Sequence, residues 1–351
     1  MVHLASTRYA GFNQQHFQEM LAEREGIFLS RSSVRNVLLE SGIGSPRKRR
    51  PPQHRRRRER YPQEGMLLQI DASPHAWLGE RRSPFSLLGA IDDATGRVPY
   101  ALFREQEDSA GYFTLMREIV ARYGIPLAVY HDRHSIFEVS EDKVPSLAEQ
   151  LDGQRPLTQF GRLMNELGIK PIAALSPQAK GRIERLWGTF QDRLVSELRL
   201  AGVGTIAEAN RFLAGFLRRY NARFAVTPAV PGSAYRPASD RPTAEELFCF
   251  KHRRAVGLDN VVRFQGHRLQ VLPSMERFSY ARCHVEVHEA LIGTLQVYYQ
   301  GRYLDTCPAP AEATRARELA AVSTTEPEAK PGNTRPAADH PWRRRLLPLR
   351  H

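Results

Sequence analysis

The sequence predicts an α/β fold: a mixed sheet with its helices, preceded by a small helical unit and followed by a small antiparallel β unit. Between residues 66 and 221, short apolar runs and helical patterns alternate as three antiparallel strands, helix, strand, helix, strand, helices. Ahead of that region lie two amphipathic stretches joined by a turn. Behind it, strand patterns return, with Gly266, Gly293 and Gly301 in or near the turns. At 351 residues the chain has room for two or three domains.

Taken in order, residues 12–24 place Phe12, Phe17, Met20 and Leu21 at helical spacing, and Ser30 or Ser32 is positioned to cap a second helix ending near Ser41. Gly42 and Gly44 stop it, and the pair reads as a helix-turn-helix. From Arg47 to Arg60, nine of fourteen residues are Arg or Lys. Such a run builds no core and repels itself, so it reads as an extended arm suited to phosphates. Met66 to Ile70 is the first strand, ending at Asp71. Phe85 to Ile91 and Val98 to Phe103 follow as the second and third, across the turn Asp92–Gly96. Residues 108–123 are helical, and Leu127 to His131 is a fourth strand ending at Asp132. His134 to Arg155 reads as a polar surface insertion. Helices are expected at 157–167, 178–200 and 205–221, with a strand at Pro171 to Leu175 before the second of them. Past residue 223 a Pro-rich stretch leads to strands at 261–264, 267–272, 283–288, 291–299 and 302–305, a small antiparallel barrel or sandwich. The end is biased to Ala, Pro, Glu and Arg, a composition expected to be disordered.

Charge narrows the class of partner. Lys and Arg number 51 against 38 Asp and Glu, a net charge of +13, which favours an acidic polymer such as nucleic acid. Three cysteines without CxxC spacing argue against a disulfide framework or a zinc knuckle. No run of apolar residues is long enough to span a bilayer, and the N-terminus has no apolar signal region, so the expected setting is cytoplasmic, and nucleoid-associated if the partner is DNA.

Three acidic residues stand out by placement. Asp71 and Asp132 close two strands, where ligands of open α/β sheets collect, and Glu184 lies early in a long helix able to cross that edge. Hard ions such as Mg²⁺, for which Mn²⁺ can substitute, take oxygen ligands. One or two carboxylates per ion suffice when substrate phosphate and water complete the shell. Two ions stabilise the attacking and leaving oxygens of an in-line phosphoryl displacement. On this basis Asp71 is expected to bridge two ions, with Asp132 on one and Glu184 on the other. Asp92 and Asp93 read as structural turn residues.

The words around these carboxylates carry a resemblance. LQIDASPHAWL (68–78), IDDATGR (91–97), YHDRHSIF (130–137) and SPQAKGRIER (176–185), in that order, resemble the DDE transposases of bacterial insertion sequences, in particular the ISNCY-type group. The resemblance covers about residues 12–305. It implies an RNase H-like, retroviral-integrase-type core, with an N-terminal helix-turn-helix and a C-terminal small β-barrel. It puts Asp71, Asp132 and Glu184 at the catalytic, metal-binding triad. It also implies homo-oligomeric assembly on double-stranded DNA, both transposon ends and target. The segment before the glutamate contacts the transposon end in such cores, which makes Gln178, Lys180 and Arg182 candidates for DNA contact. They join Arg47, Lys48, Arg49, Arg50, Arg55, Arg56, Arg57 and Arg58 of the arm.

The implied organisation is a helix-turn-helix region at 1–45, a basic linker at 46–63, a catalytic core at 64–222, a linker and β-barrel at 223–308, and a disordered tail at 309–351. The chain departs from the pattern at several points. Asp132 and Glu184 are 184 − 132 = 52 residues apart, longer than in many related cores, and the insertion at 134–155 explains the excess. Trp187 stands where relatives often carry Asn or His, and is expected to pack; Gln191 stands where a basic residue is common. The expected N-terminal unit is shorter than in relatives, as in a truncated copy. The alternative function is therefore a catalytically inert, DNA-binding repressor of transposition. A nuclease of RNA hybrids is a third reading.

Overall fold

A computed structural model describes residues 1–44, 58–79, 82–139, 157–174, 181–238 and 242–309. The central sheet has five strands, β1 (Leu68–His75), β2 (Phe85–Asp92), β3 (Ala101–Arg104), β4 (Ala128–His131) and β5 (Lys170–Ala173), in the order β3-β2-β1-β4-β5. The first three form an antiparallel meander, while β4 joins β1 and β5 joins β4 in parallel. This is the mixed α/β sheet expected, built from the expected order of elements.

Strand alternation sends successive side chains to opposite faces, and each face has its own helices. Leu68, Ile70, Leu88 and Ala90 face α4 (Ser109–Tyr123) and α5 (Gln159–Glu166), meeting Phe113, Met116, Phe160 and Leu163. Leu87, Ile91, Ala101 and Phe103 face α6 (Gly181–Leu200) and α7 (Ile206–Phe224), meeting Ile183, Leu186, Phe190, Leu194 and Phe216. In α6 the buried residues recur every three or four positions, and each such side chain removed from water contributes about 1.5–3 kcal/mol. Asp108 caps α4 by accepting from Gly111 N–H, Thr158 caps α5 by accepting from Gly161 N–H, and Thr205 with Glu208 forms a capping box on α7.

Several segments differ from expectation: β3 starts at Ala101 rather than Val98, and the strand expected at 291–299 starts at Leu295, past the turn at Gly293. β1 does not end at Asp71 but runs to His75, because its pairing with β2 continues through His75↔Phe85 while its pairing with β4 stops at Gln69↔Tyr130. Past that point one side of β1 needs no ladder partner, and Pro74, which has no N–H, is tolerated there. The segment after Asp132 is not polar surface from its start. Phe137 is buried against Tyr112 and Phe160, at ring separations of 4.8 and 5.0 Å. The Pro-rich segment after α7 is strapped to the core: Val226, Val230 and Ala234 donate backbone N–H groups to Thr95, Pro62 and Glu64, and Arg236 exchanges backbone bonds with Ile125.

At the N-terminus, α1 (Val2–Ser6), α2 (Gln14–Arg24) and α3 (Arg31–Glu40) enclose Tyr9, Phe17, Leu21 and Val34. Ser30 caps α3 through Ser33 N–H. This unit rests on α6 and α7 through ion pairs of Glu19 with Arg193 and Arg223, and His16 Nε2 lies 3.3 Å from Glu197, which itself pairs with Arg219 across α6 and α7. At the other end, α8 (Ala244–Leu247) and β6 (Cys249–Ala255) precede β7 (Val261–Phe264), β8 (His267–Val271), β9 (His284–Ala290), β10 (Leu295–Tyr299), β11 (Arg302–Leu304) and β12 (Thr306–Pro308). They pair antiparallel as two sheets, β11-β10-β9-β6 and β12-β8-β7, around Val262, Phe264, Val287 and Val297. β6 ties this unit to α5 and α4. Gln159 and Lys251 exchange two hydrogen bonds of 2.7 and 3.1 Å, and Phe250 stacks on Phe113.

Candidate active site

Parallel pairing of Leu68 with Val129 and Gln69 with Tyr130, continued two positions, sets Asp71 level with Asp132 just past the end of β4. Neighbouring strands are about 4.8 Å apart, so the two carboxylates share one edge of the sheet. Both are partly exposed. Asp132 accepts from His134 N–H at 3.0 Å, a local turn that orients its side chain. Its own backbone carbonyl accepts from His131 Nδ1 at 2.6 Å, and the His131 ring is buried against Phe137. Asp71 accepts from Trp187 Nε1 at 2.9 Å. Beneath the pair lies Tyr112. Burial, then the charge of Glu107, and with it a hydrogen bond of 2.6 Å to Glu107, hold its phenol well above its ordinary value, and the charges of Asp71 and Asp132 add to the effect.

Glu184 is exposed in the first turn of α6, one turn ahead of Trp187. The start of α6 is fixed against the sheet: Ile183 N–H donates to Gln69 Oε1 at 3.3 Å, and Arg182 Nε lies 2.7 Å from Asp93 Oδ1. Gln69 and Asp71 point to the same face of β1, so the helix crosses just where Asp71 emerges. The three carboxylates nonetheless do not close into one cage. Among the described residues no three His, Cys, Asp or Glu side chains are grouped tightly enough to hold an ion together. The fold brings Asp71 and Asp132 together and leaves Glu184 beside them on the helix.

The donor set suits a hard divalent cation at the aspartate pair. Both side chains offer carboxylate oxygens on one solvent-accessible edge, and Mg²⁺ is ordinarily held by one or two carboxylates, with water and substrate phosphate completing its shell. A cleft of about 360 Å³ lies elsewhere, lined by residues that include Met20, Arg193, Phe216 and Tyr220, and none of the three carboxylates borders it.

Of the expected DNA contacts, Arg58 and Arg182 have intramolecular partners. Both bond to Asp93, which is fully buried and also accepts from Gln69 and from Tyr61 N–H. Arg47, Lys48, Arg49, Arg50, Arg55, Arg56, Arg57, Gln178 and Lys180 lie outside the described residues. The structural reading of Asp92 and Asp93 agrees with their burial. Asp92 accepts from Gly65 N–H, Thr95 N–H and Thr95 Oγ1. Trp187 packs as expected, buried at 6 % exposure, but its bond to Asp71 was not foreseen. Gly89 was a usable signal for it, since a glycine inside an apolar strand marks a close approach.

Two curated proteins similar to this chain carry transposase names, one of them belonging to an insertion sequence. They are y4bF of Sinorhizobium fredii, whose transposase name is provisional, and the transposase for insertion sequence IS1202 of Streptococcus pneumoniae. The first is 37 % identical over 300 residues, covering 85 % of this chain and 64 % of that protein. The second is 32 % identical over 286 residues, 72 % of this chain and 60 % of that protein. The chain thus spans somewhat less than two thirds of the length of each. Among solved structures it is similar to a chain of the simian T-cell lymphotropic virus intasome in complex with PP2A regulatory subunit B56 gamma. That match has 15 % identity and a TM-score of 0.36, and covers 88 % of this chain and 99 % of the other. No family model matches the chain.

Proposed function

We propose that this chain is a DDE transposase, cleaving DNA at the ends of its insertion sequence and joining the freed 3′ ends to target DNA. The observation that carries the proposal is the parallel register that sets Asp71 level with Asp132 on an open sheet edge, beneath the first turn of a helix bearing Glu184. Sequence similarity to transposases over most of the chain supports it.

Asp71 and Asp132 would hold the divalent ions, Mg²⁺ or Mn²⁺, with Asp71 shared by the two and Glu184 the remaining ligand on α6. When bound, such ions neutralise phosphate charge and ease deprotonation of the attacking water or hydroxyl. The chain's own contribution is placement. The β1–β4 register sets the spacing of the aspartates, the His134 N–H and the Trp187 N–H orient them, and the contacts of Gln69 and Asp93 with α6 set where Glu184 meets the scissile phosphate. Excess positive charge draws the DNA in, and the basic run Arg47–Arg57, ahead of the inward-turned Arg58, lies along its backbone. End-binding and target capture proceed as a homo-oligomer on double-stranded DNA.

The test is strand transfer by the full chain on DNA carrying the element's ends, with Mg²⁺ or Mn²⁺. Activity that needs the ion and vanishes in Asp71→Asn is the expected result; full activity in Asp71→Asn refutes the assignment.

A further inference from the structure

Trp187 is not merely filler. Its indole is buried, in edge-to-face contact with Phe190 at 6.0 Å, and its Nε1 lies 2.9 Å from Asp71 Oδ2. Room for the ring comes from Gly89, the residue paired with Asp71 across the β1–β2 ladder. A Cβ at Gly89 would stand 2.9 Å from the Trp187 ring, closer than real contacts come. The sheet therefore has a bare position opposite the carboxylate, an indole laid over it, and the indole's polar atom delivered to that carboxylate.

An indole N–H has particular value at such a place. It is a donor only and does not titrate in the working range, so it keeps one carboxylate rotamer without competing for protons or ions. A bond to a charged acceptor is about twice as strong as one between neutral groups. Outer partners that orient a metal-binding carboxylate typically account for about 10–100-fold in ion affinity or activity.

We propose that Trp187 is the positioning residue for Asp71, with Gly89 as the seat that admits its ring, so that Asp71 meets a divalent ion in one fixed orientation. The inference rests on the metal-binding reading of Asp71 given above, and adds to it a role for a residue outside the carboxylate set.

The experiment uses the full chain, without DNA, titrated with Mn²⁺ alone and followed by calorimetry. In one variant Trp187 is replaced by benzothienylalanine, which keeps the ring's shape and loses only its N–H. The expected result is Mn²⁺ affinity about 10–100-fold weaker than wild type with an unchanged melting temperature. In parallel, the wild-type protein carrying ¹⁵N-labelled tryptophan should show the Trp187 indole N–H signal moving as Mg²⁺ is added, and staying still in Asp71→Asn. That second readout needs no alteration at Trp187. Wild-type affinity in the benzothienylalanine protein, or an indole signal indifferent to Mg²⁺, overturns the proposal. If Asp71→Asn abolishes Mn²⁺ binding while the benzothienylalanine protein binds normally, only the role of Trp187 falls. If Asp71→Asn binds as wild type does, the metal-binding reading of Asp71 falls, and the role of Trp187 with it.

Discussion

Two pairs of aspartates lie on the same sheet and differ in every physical respect. Asp92 and Asp93, at the end of β2, are sealed from solvent. Their carboxylates accept from the backbone of Tyr61, Gly65 and Thr95, the amide of Gln69, and the guanidinium groups of Arg58 and Arg182. Asp71 and Asp132, in β1 and just past β4, are partly exposed, and each is oriented by a neutral N–H donor, from Trp187 and His134 respectively. Burying a carboxylate is costly unless cations and donors surround it, and one so surrounded has little left to offer a ligand. Accessibility at the sheet edge, rather than acidity, distinguishes the pair fit for chemistry from the pair that holds the fold together.

The contrast predicts opposite outcomes for the same kind of substitution. Asp132→Asn should reduce DNA cleavage by on the order of 1,000-fold or more while leaving thermal unfolding nearly unchanged, because it removes a group that acts on substrate. Asp93→Ala should do the reverse first. It leaves the Arg182 guanidinium, 14 % exposed, without its buried counter-charge and should lower stability by about 3 kcal/mol, read by chemical denaturation. Asp93→Ala protein with wild-type stability, or Asp132→Asn protein that cleaves normally, would break the distinction.

A smaller effect concerns pH and the docking of the N-terminal helices. Burial pushes the Glu197 carboxyl up, but hydrogen bonds from His16 and Arg219 outweigh it and leave the group below its ordinary value of 4.5. Glu19 behaves alike: burial raises it, and bonds from Arg193 and Gln15 lower it further. A carboxylate depressed in the folded state contributes stability that is fully present above its unfolded value and is lost as pH falls through the folded one. Melting temperature should therefore hold steady down to the ordinary carboxylate range and fall below it. Glu197→Gln should flatten that acid limb by roughly 1 kcal/mol or less, since Arg219 is half exposed and solvent screens its share.

Much of this organisation was legible in the residues. The five core strands, the helices over both faces and the level placement of Asp71 and Asp132 follow from apolar periodicity and from the two aspartates at the expected edge. The apolar run that marks β1 stops at Ile70, but the strand continues to His75, because its β2 ladder persists after its β4 ladder ends. β6 escaped notice because CFKHRRA lacks apolar alternation. It lies at the rim of its sheet, where charged residues are common and discourage further pairing. The Asp93 hub was out of reach for a different reason. Its partners come from three separate stretches of chain, 58–61, Gln69 and Arg182, and no local pattern announces which arginines will turn inward. The same holds for Arg58 and Arg182, read as DNA contacts from charge and resemblance and found bonded to Asp93. Convergence of Glu184 with the aspartates is a matter of side-chain reach that no pattern in the sequence fixes: the start of its helix is held to Gln69, and among the described residues no three such side chains are grouped to hold an ion.

The most direct measurement is a crystal of the full chain grown with Mn²⁺ and examined by anomalous scattering. An anomalous peak coordinated by both Asp71 and Asp132 is the predicted result, with Glu184 joining when end DNA is present. A chain that cleaves DNA with Mn²⁺ bound elsewhere, and neither aspartate in the shell, contradicts the shared-ion site.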